Sequence, residues 1–381
     1  MRISTTKAGF VFSDDILQYD YGPLHPMKVI RLRLARDLMS ACGLLDEDGC
    51  RLEVPVPADP RAVLKFHSSS YIEALRQVSD GNLAGSCAEY GIARGDNPPF
   101  PGVYEFSMLS AGGSIRAARM VADGSADRVF HIAGGLHHAH CERASGFCYV
   151  NDPVLAILDL LDRGLRVAYV DVDAHHGDGV QWAFYDTDRV LTVSMHQDGR
   201  TLFPGTGGVA ETGRGEGEGY SINIPLWPGT EDGLYQRAFT EVVVPLVEWY
   251  DPDIVVTQLG VDSLRDDPLA MLELTPQGFE TLIKTMRDCF PRWVALGGGG
   301  YDLRTVACVW SRAWSVISDQ VCRCDIEDQY SQVSAGAGLD TAVTRRPRLA
   351  GWIDSDQAVR NGESVLQSVK EVVRSLLSLE L

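Results

Sequence analysis

The sequence lacks a membrane span, because no uninterrupted apolar run approaches the roughly 18 residues that a spanning helix requires. It is also short of positive charge, with 34 Lys and Arg against 52 Asp and Glu, for a net charge of −18. A nucleic-acid surface needs a basic face to neutralise phosphates, so neither a membrane nor a nucleic acid is the expected partner. The acidic excess suits a cationic substrate but mainly confers solubility. The opening MRISTTKAGFVFSDD has no apolar core and no small-residue cleavage site, and the nine cysteines lack a secreted-domain rhythm. A reducing cytoplasm is the expected location. Cys322 and Cys324 form only a CxC, without zinc-knuckle spacing, and read as ordinary thiols. Internal repeats and low-complexity runs are absent as well. What remains is an ordinary globular balance, 45% hydrophobic and 23% charged, with ample material for a core.

Short apolar strand candidates recur at 9–12, 128–133, 166–170, 189–194, 220–225, 253–259 and 292–297. Helical patterns separate several of them, at 105–122, 152–163, 231–249 and 275–289. Strands that are apolar throughout, alternating with amphipathic helices, predict a three-layer α/β domain with a parallel sheet covered on both faces. A catalytic domain over 1–325 and a C-terminal extension over 326–381 are expected. The extension begins with a connection, SAGAGLDTAVTRRPRLAG, and ends in a helix with Val365, Val369, Val372, Val373 and Leu376 at helical spacing. That stripe packs on the body or, alternatively, makes a homo-oligomer contact.

In such sheets ligands bind beyond the carboxyl ends of the strands, and there the chemistry-bearing residues cluster. VDVDAHHGDGVQW follows the strand at 166–170 and holds three aspartates and two histidines within Asp171–Asp178. Asp173 and His175, two apart, point to the same side if the backbone is extended. Carboxylate plus imidazole suits zinc, and Asp262, just past 253–259, offers a third ligand. Three protein ligands leave an open position, as catalytic sites require. GGLHHAH follows 128–133, and two imidazoles, His137 and His138, suit proton transfer near neutral pH. Asp171 and Asp178 are spare carboxylates that can orient one histidine each. LGGGGYDL follows 292–297: its glycines let backbone approach a substrate closely, and Tyr301 can donate to an oxyanion. Metal, imidazole pair and phenol together describe hydrolysis of an amide or ester.

HPMK, DNPPFPG, GGLHHA, SGFCYVND, VDVDAHHGDGVQ, LFPGTG, QLGVDSLRDDPL and LGGGGY occur in this order over residues 8–320. So arranged, they resemble the zinc-dependent histone deacetylase superfamily, whose fold is shared with arginase. DVDAHHGDGVQWAFYD and GRTLFPGTGGV look most like the bacterial acetoin-utilisation deacetylases.

The resemblance implies an eight-stranded parallel sheet and one zinc held by Asp173, His175 and Asp262. It implies a catalytic pair His137 and His138, backed by Asp171 and Asp178, with Tyr301 as oxyanion donor. Phe147 and Phe203 would wall a channel for an acyl-lysine stem. Gly146 would present a carbonyl, Leu269 would stand at the mouth, and Gly299 would lie beside the substrate. Asp96 would grip the backbone amides of an acetylated protein or peptide, and Arg31 would border an acetate cavity. Structural potassium would sit at Asp171, Asp173, His175, Ser194 and Met195, with a second site around Phe184, Val190 and Tyr220.

Three alternatives stay open. Acetylpolyamine amidohydrolases use the same zinc chemistry on a small cation. Arginase-like ureohydrolases bind two manganese ions through an Asp-x-Asp pair, whereas here Gly260 precedes Asp262 by two positions. A non-catalytic metal scaffold would lack a histidine, an aspartate or Tyr301, and none is missing.

Overall fold

Alternate side chains of the central strands enter two different cores. Val167, Tyr169, Ile254, Val256, Val294 and Leu296 pack on one face; Ala168, Val170, Val255, Trp293 and Ala295 pack on the other. Burial on both faces explains why these segments read as continuous apolar runs rather than as alternating ones. In the computed structural model, which describes residues 7–46, 50–82, 87–93, 95–339 and 354–381, they form one sheet. Its strands are β1 (Ala8–Val11), β2 (Arg51–Glu53), β3 (Arg128–His131) and β4 (Val167–Asp171). Then come β5 (Val190–Gln197), β6 (Ser221–Leu226), β7 (Ile254–Gln258) and β8 (Trp293–Leu296). The order is β2-β1-β3-β8-β7-β4-β5-β6, and all pairs are parallel. The expected three-layer parallel architecture is observed. No apolar run announced β2: it is a three-residue edge strand, Arg-Leu-Glu, and exposed or half-exposed throughout.

Helices Val103–Ala122 and Asp152–Asp162 cover the first face, burying Ala117, Val121, Val154 and Leu160. Helices Ile30–Ala41, Pro276–Cys289 and Leu303–Ile317 join the second core through Leu38, Met286, Trp310 and Trp314. The pattern at 231–249 is realised as Asp232–Ala238, a π-helical turn Phe239–Val243, and Val244–Tyr250. Pro245 accounts for the interruption, since it has no N–H to donate into the preceding turn.

Beyond the sheet lie helices Ile326–Gly336 and Ser355–Leu377. The second runs beside β6 and buries Gly362, Leu366, Val369 and Val373. The buried stripe is thus rotated from the expected one: Leu366 turns inward and Leu376 outward. Most of the expected connection lies outside the described residues. Cys324 is not an ordinary thiol, because a disulfide joins it to Cys42, 282 positions away. A pairing so distant leaves no trace in the local CxC spacing. No helix among the described residues is long and apolar enough to cross a membrane.

Candidate active site

The chemistry-bearing loops leave β3, β8, β7 and β4, four strands that are neighbours in the sheet, and the loop carrying Phe203 leaves the adjacent β5. Parallel strands send all five loops to the same end, so residues far apart in sequence share one small volume.

Three side chains converge as candidate metal ligands. His175 Nδ1 faces Asp173 Oδ1 at 3.0 Å and Asp262 Oδ2 at 2.9 Å. The other oxygen of each carboxylate is already committed. Asp173 Oδ2 accepts from Gln258 Nε2 (2.6 Å) and from the Gly299 N–H (2.8 Å), and Asp262 Oδ1 accepts from the Ala174 N–H (2.8 Å). One oxygen of each aspartate and one ring nitrogen lie within 4.8 Å of one another, a donor set that suits zinc. The backbone at 173–175 is bent rather than extended. The His175 N–H bonds Asp173 Oδ1 at 2.9 Å, and this turn, not strand alternation, brings the two side chains together. All three ligands are buried. Burial and neighbouring Asp173 push Asp262 up to about 6. Asp173 is held well below the carboxylate range, against its burial, by His137 and His175. Two buried carboxylates so close favour a shared proton or a positive charge between them. A side chain at Gly260 would overlap Asp173 Oδ2, so a second carboxylate in that position does not fit.

Beside the ligands lies the histidine pair. His137 Nδ1–H donates to Asp171 Oδ2 and His138 Nδ1–H donates to Asp178 Oδ1, each at 2.7 Å. The two Nε2 atoms are 3.0 Å apart, so one must donate and the other accept. Electrostatics assigns the roles. Burial depresses His137, but Asp171 and Asp173 outweigh it and raise the ring to about 9. Burial and the charge on His137 lower His138 to about 4, with Asp178 opposing. Protonation therefore favours the His137 ring over the His138 ring, and the His138 Nε2 lone pair faces the Nε2–H of His137.

Tyr301 stands across the site with its ring 6.5 Å from that of His175. Burial and the nearby Asp262 and Asp173 raise its phenol well above the ordinary value, so it stays a proton donor. Its N–H donates to Asp267 Oδ2 at 2.8 Å, and the Leu269 N–H donates to Asp267 Oδ1 at 2.8 Å. The glycine run approaches the metal ligands: a side chain at Gly299 would overlap Asp262 Oδ2. Arg31 is buried and donates to Gly300 O (2.8 Å) and Gly298 O (2.7 Å), with its Nε unpartnered.

The approach to the site is aromatic. Phe147 packs edge-on to Tyr301 at 5.6 Å, and Phe203 packs against His138 at 5.1 Å, so the rings flank the ligands from different loops. Gly146 has φ +50°, and a side chain there would overlap the His138 ring. Phe147 itself adopts φ +69°, a costly conformation for a non-glycine. The Tyr21 hydroxyl fixes it by donating to Phe147 O at 2.8 Å. Asp96, exposed, and Leu269 line a groove of about 590 Å³ with Phe147, His25 and Leu24. Ser194 and Met195 lie on β5, where Ser194 is in register with Asp171 on β4. Phe184, Val190 and Tyr220 cluster toward the amino end of β5, a separate location.

Four buried residues were given no role by sequence reasoning. Gln258 braces Asp173, and Asp267 braces Tyr301. Asn151 and Asp152 clamp the histidine loop. Asn151 Nδ2 donates to His137 O and Ala139 O at 2.9 Å each, and Asp152 accepts from the Gly135 and Leu136 N–H groups at 2.8 Å each. A polar Asn-Asp pair inside the apolar run CYVNDPVLAIL was the available signal, since buried polar groups must be bonded.

Known proteins are similar to this chain over most of its length. A histone deacetylase domain model matches residues 25–317. Histone deacetylase B of Dictyostelium discoideum is 42% identical over 318 residues, covering 83% of this chain and 75% of that protein. Histone deacetylase 1 of Homo sapiens is 40% identical over 318 residues, covering 82% of this chain and 65% of that one. Among solved structures, an HDAC homologue from Aquifex aeolicus superposes with a TM-score of 0.86 at 30% identity, over 96% of this chain and all of that one. An HDAC homologue complexed with SAHA superposes with a TM-score of 0.85. Since the family model matches residues 25–317, which hold β2 to β8 and every loop of the site, the chain belongs to the histone deacetylase family and is a deacetylase-type hydrolase.

Proposed function

We propose that the chain is a zinc-dependent deacetylase that hydrolyses the acetamide of acetyl-lysine in proteins, releasing acetate and the lysine amine. The observation that carries this reading is the convergence of Asp173 Oδ1, His175 Nδ1 and Asp262 Oδ2 next to the carboxylate-backed His137–His138 pair. Those three atoms would hold the ion, which when bound polarises the amide carbonyl and makes water acidic enough to lose a proton near neutral pH.

The chain's own groups do the rest. His138 Nε2, its lone pair turned from His137 to the water, takes the water proton while Asp178 holds the ring. His137, kept protonated by Asp171, steadies the negative charge that develops beside it. The Tyr301 phenol donates to the tetrahedral oxygen, and the protonated His138 returns its proton to the departing lysine nitrogen. Phe147 and Phe203 wall the apolar slot for the lysine stem, Gly146 O accepts from the amide N–H, and Gly299 closes the floor. Leu269 packs at the mouth, where Asp96 accepts backbone N–H groups of the peptide. Arg31, its Nε unpaired, faces the released acetate. Potassium at Asp171, Asp173, His175, Ser194 and Met195, and around Phe184, Val190 and Tyr220, would stiffen β5 at its middle and at its amino end.

Within the family, DVDAHHGDGVQWAFYD and GRTLFPGTGGV support a place near the acetoin-utilisation deacetylases. On that placing, the substrates are acetylated metabolic enzymes in a cytoplasm, and deacetylation restores a cationic lysine. The competing substrate is an acetylpolyamine, whose charge also suits the net −18. Comparison of kcat/KM for an acetyl-lysine peptide and for acetylspermidine decides. The peptide is expected to be preferred, and a polyamine preference unchanged in Asp96→Ala would overturn the protein-deacetylase reading.

A further inference from the structure

The proposed chemistry uses none of the cysteines, yet three of them meet outside the active site. Cys42 caps the carboxyl end of the Ile30–Ala41 helix and is fully buried. Cys322 and Cys324 are half-buried, on the segment between helices Leu303–Ile317 and Ile326–Gly336. Cys42 and Cys324 are joined, while Cys322 is a free thiol with its Sγ 3.6 Å from Cys324 Sγ. All three sulfurs lie within 4.8 Å of one another.

Independent bonds hold the corner together. The Arg323 N–H donates to Cys42 O at 3.3 Å, and its guanidinium pairs with Asp46 at 2.7 Å. Leu44 O accepts from Trp314 Nε1 (2.8 Å) and Gln320 Nε2 (3.1 Å). Both sides of the bond are therefore positioned by the fold, and opening it leaves the thiols close enough to re-form it. Because Cys42 has no exposed surface, a solute meets this cluster only from the Cys322–Cys324 side.

We propose that Cys42, Cys322 and Cys324 form a thiol–disulfide exchange site whose co-reactants are small thiols and small disulfides, with Cys322 as the exchanging thiol. The Cys322 thiolate attacks Cys324 Sγ. The Cys322–Cys324 bond forms, the Cys42–Cys324 bond breaks, and its electron pair leaves on Cys42, which takes up one proton from solvent to replace the one that Cys322 released. No electrons are gained or lost in that step. Two molecules of a small thiol then reduce the exposed Cys322–Cys324 bond, yielding two protein thiols and one small disulfide, and the reverse sequence closes the clip. Cys322 thereby connects a buried sulfur to the redox state of the solvent. The clip fastens the helix that carries Arg31 to the segment leading into the C-terminal helices.

The test uses the full chain, oxidised with glutathione disulfide, then given reduced glutathione and quenched at intervals with iodoacetamide before non-reducing peptide mapping. A Cys42–Cys324 peptide pair is expected after oxidation, with a transient Cys322–Cys324 pair during reduction. Cys322→Ser, at a half-buried position, should keep the first bond and slow its reduction by about ten-fold, because an intramolecular thiol is lost. Cys42→Ser should move the bond to Cys322–Cys324. The proposal is overturned if oxidation never yields Cys42–Cys324, or if Cys322→Ser is reduced as fast as the parent. It is also overturned if a second metal ion per chain, lost in Cys322→Ser, shields the three sulfurs from alkylation, which would make the cluster a soft-metal site.

Discussion

At the carboxyl ends of the central strands, Asp171, Asp173, Asp178, Asp262 and Asp267 are buried, and each bonds at least two partners. At the rim of the groove above them, Asp96 is exposed and Leu24 is 97% exposed. The floor is therefore preorganised: its groups are fixed before substrate arrives, and they act in a water-poor site where electrostatic effects are strong. The rim pays little desolvation cost and is free to adjust. In the proposed function, chemistry and substrate choice fall to two regions built on different physical terms, and substitutions in them should differ in size and in kind.

The largest expected effect is at the ligands. Asp173→Ala or Asp262→Ala should remove the metal and reduce acetate release to background, because three ligands leave no redundancy. Elemental analysis beside the activity assay checks this, and a variant that is active yet metal-free would break the contrast. Next come the acid–base groups. His138→Ala should keep the metal and lose about 10²–10⁴ in kcat, and Tyr301→Phe about 10²–10³. Retained metal with near-normal turnover would remove either residue from the proposed chemistry. Asp267→Asn should cost less, about 10-fold to 100-fold, because it loosens the support of Tyr301 without removing the phenol. Combining it with Tyr301→Phe distinguishes support from a separate role: a double variant no slower than Tyr301→Phe alone is expected. The smallest effect belongs to the rim. Asp96→Ala should raise KM for acetyl-lysine peptides several-fold, leave kcat almost unchanged, and leave a small free acetamide unaffected. An equal loss on both substrates would place Asp96 with the floor instead.

The two regions also differed in how far they could be read from sequence. The ligands and the histidine pair were legible because each sits a few residues past a buried apolar strand, and parallel strands bring such positions to one end. The bend at 173–175 was not, since spacing alone suggested an extended backbone. The bracing residues Gln258 and Asp267 escaped for another reason: they act on carboxylates or backbone N–H groups supplied by distant segments, and such partners have no local signature. β2 was hidden by its short, polar, edge position. The Cys42–Cys324 bond was hidden by its separation. At the rim, Asp96, Phe147 and Leu269 had no distinguishing periodicity, and only the resemblance to a family drew them together.

The most direct test of the central claim is a zinc titration of chelator-stripped protein, with acetate release from an acetyl-lysine peptide as the readout. The account predicts negligible activity without metal, a linear rise, and saturation at one zinc ion per chain. Saturation only at two ions per chain, or full activity in the stripped protein, would contradict it.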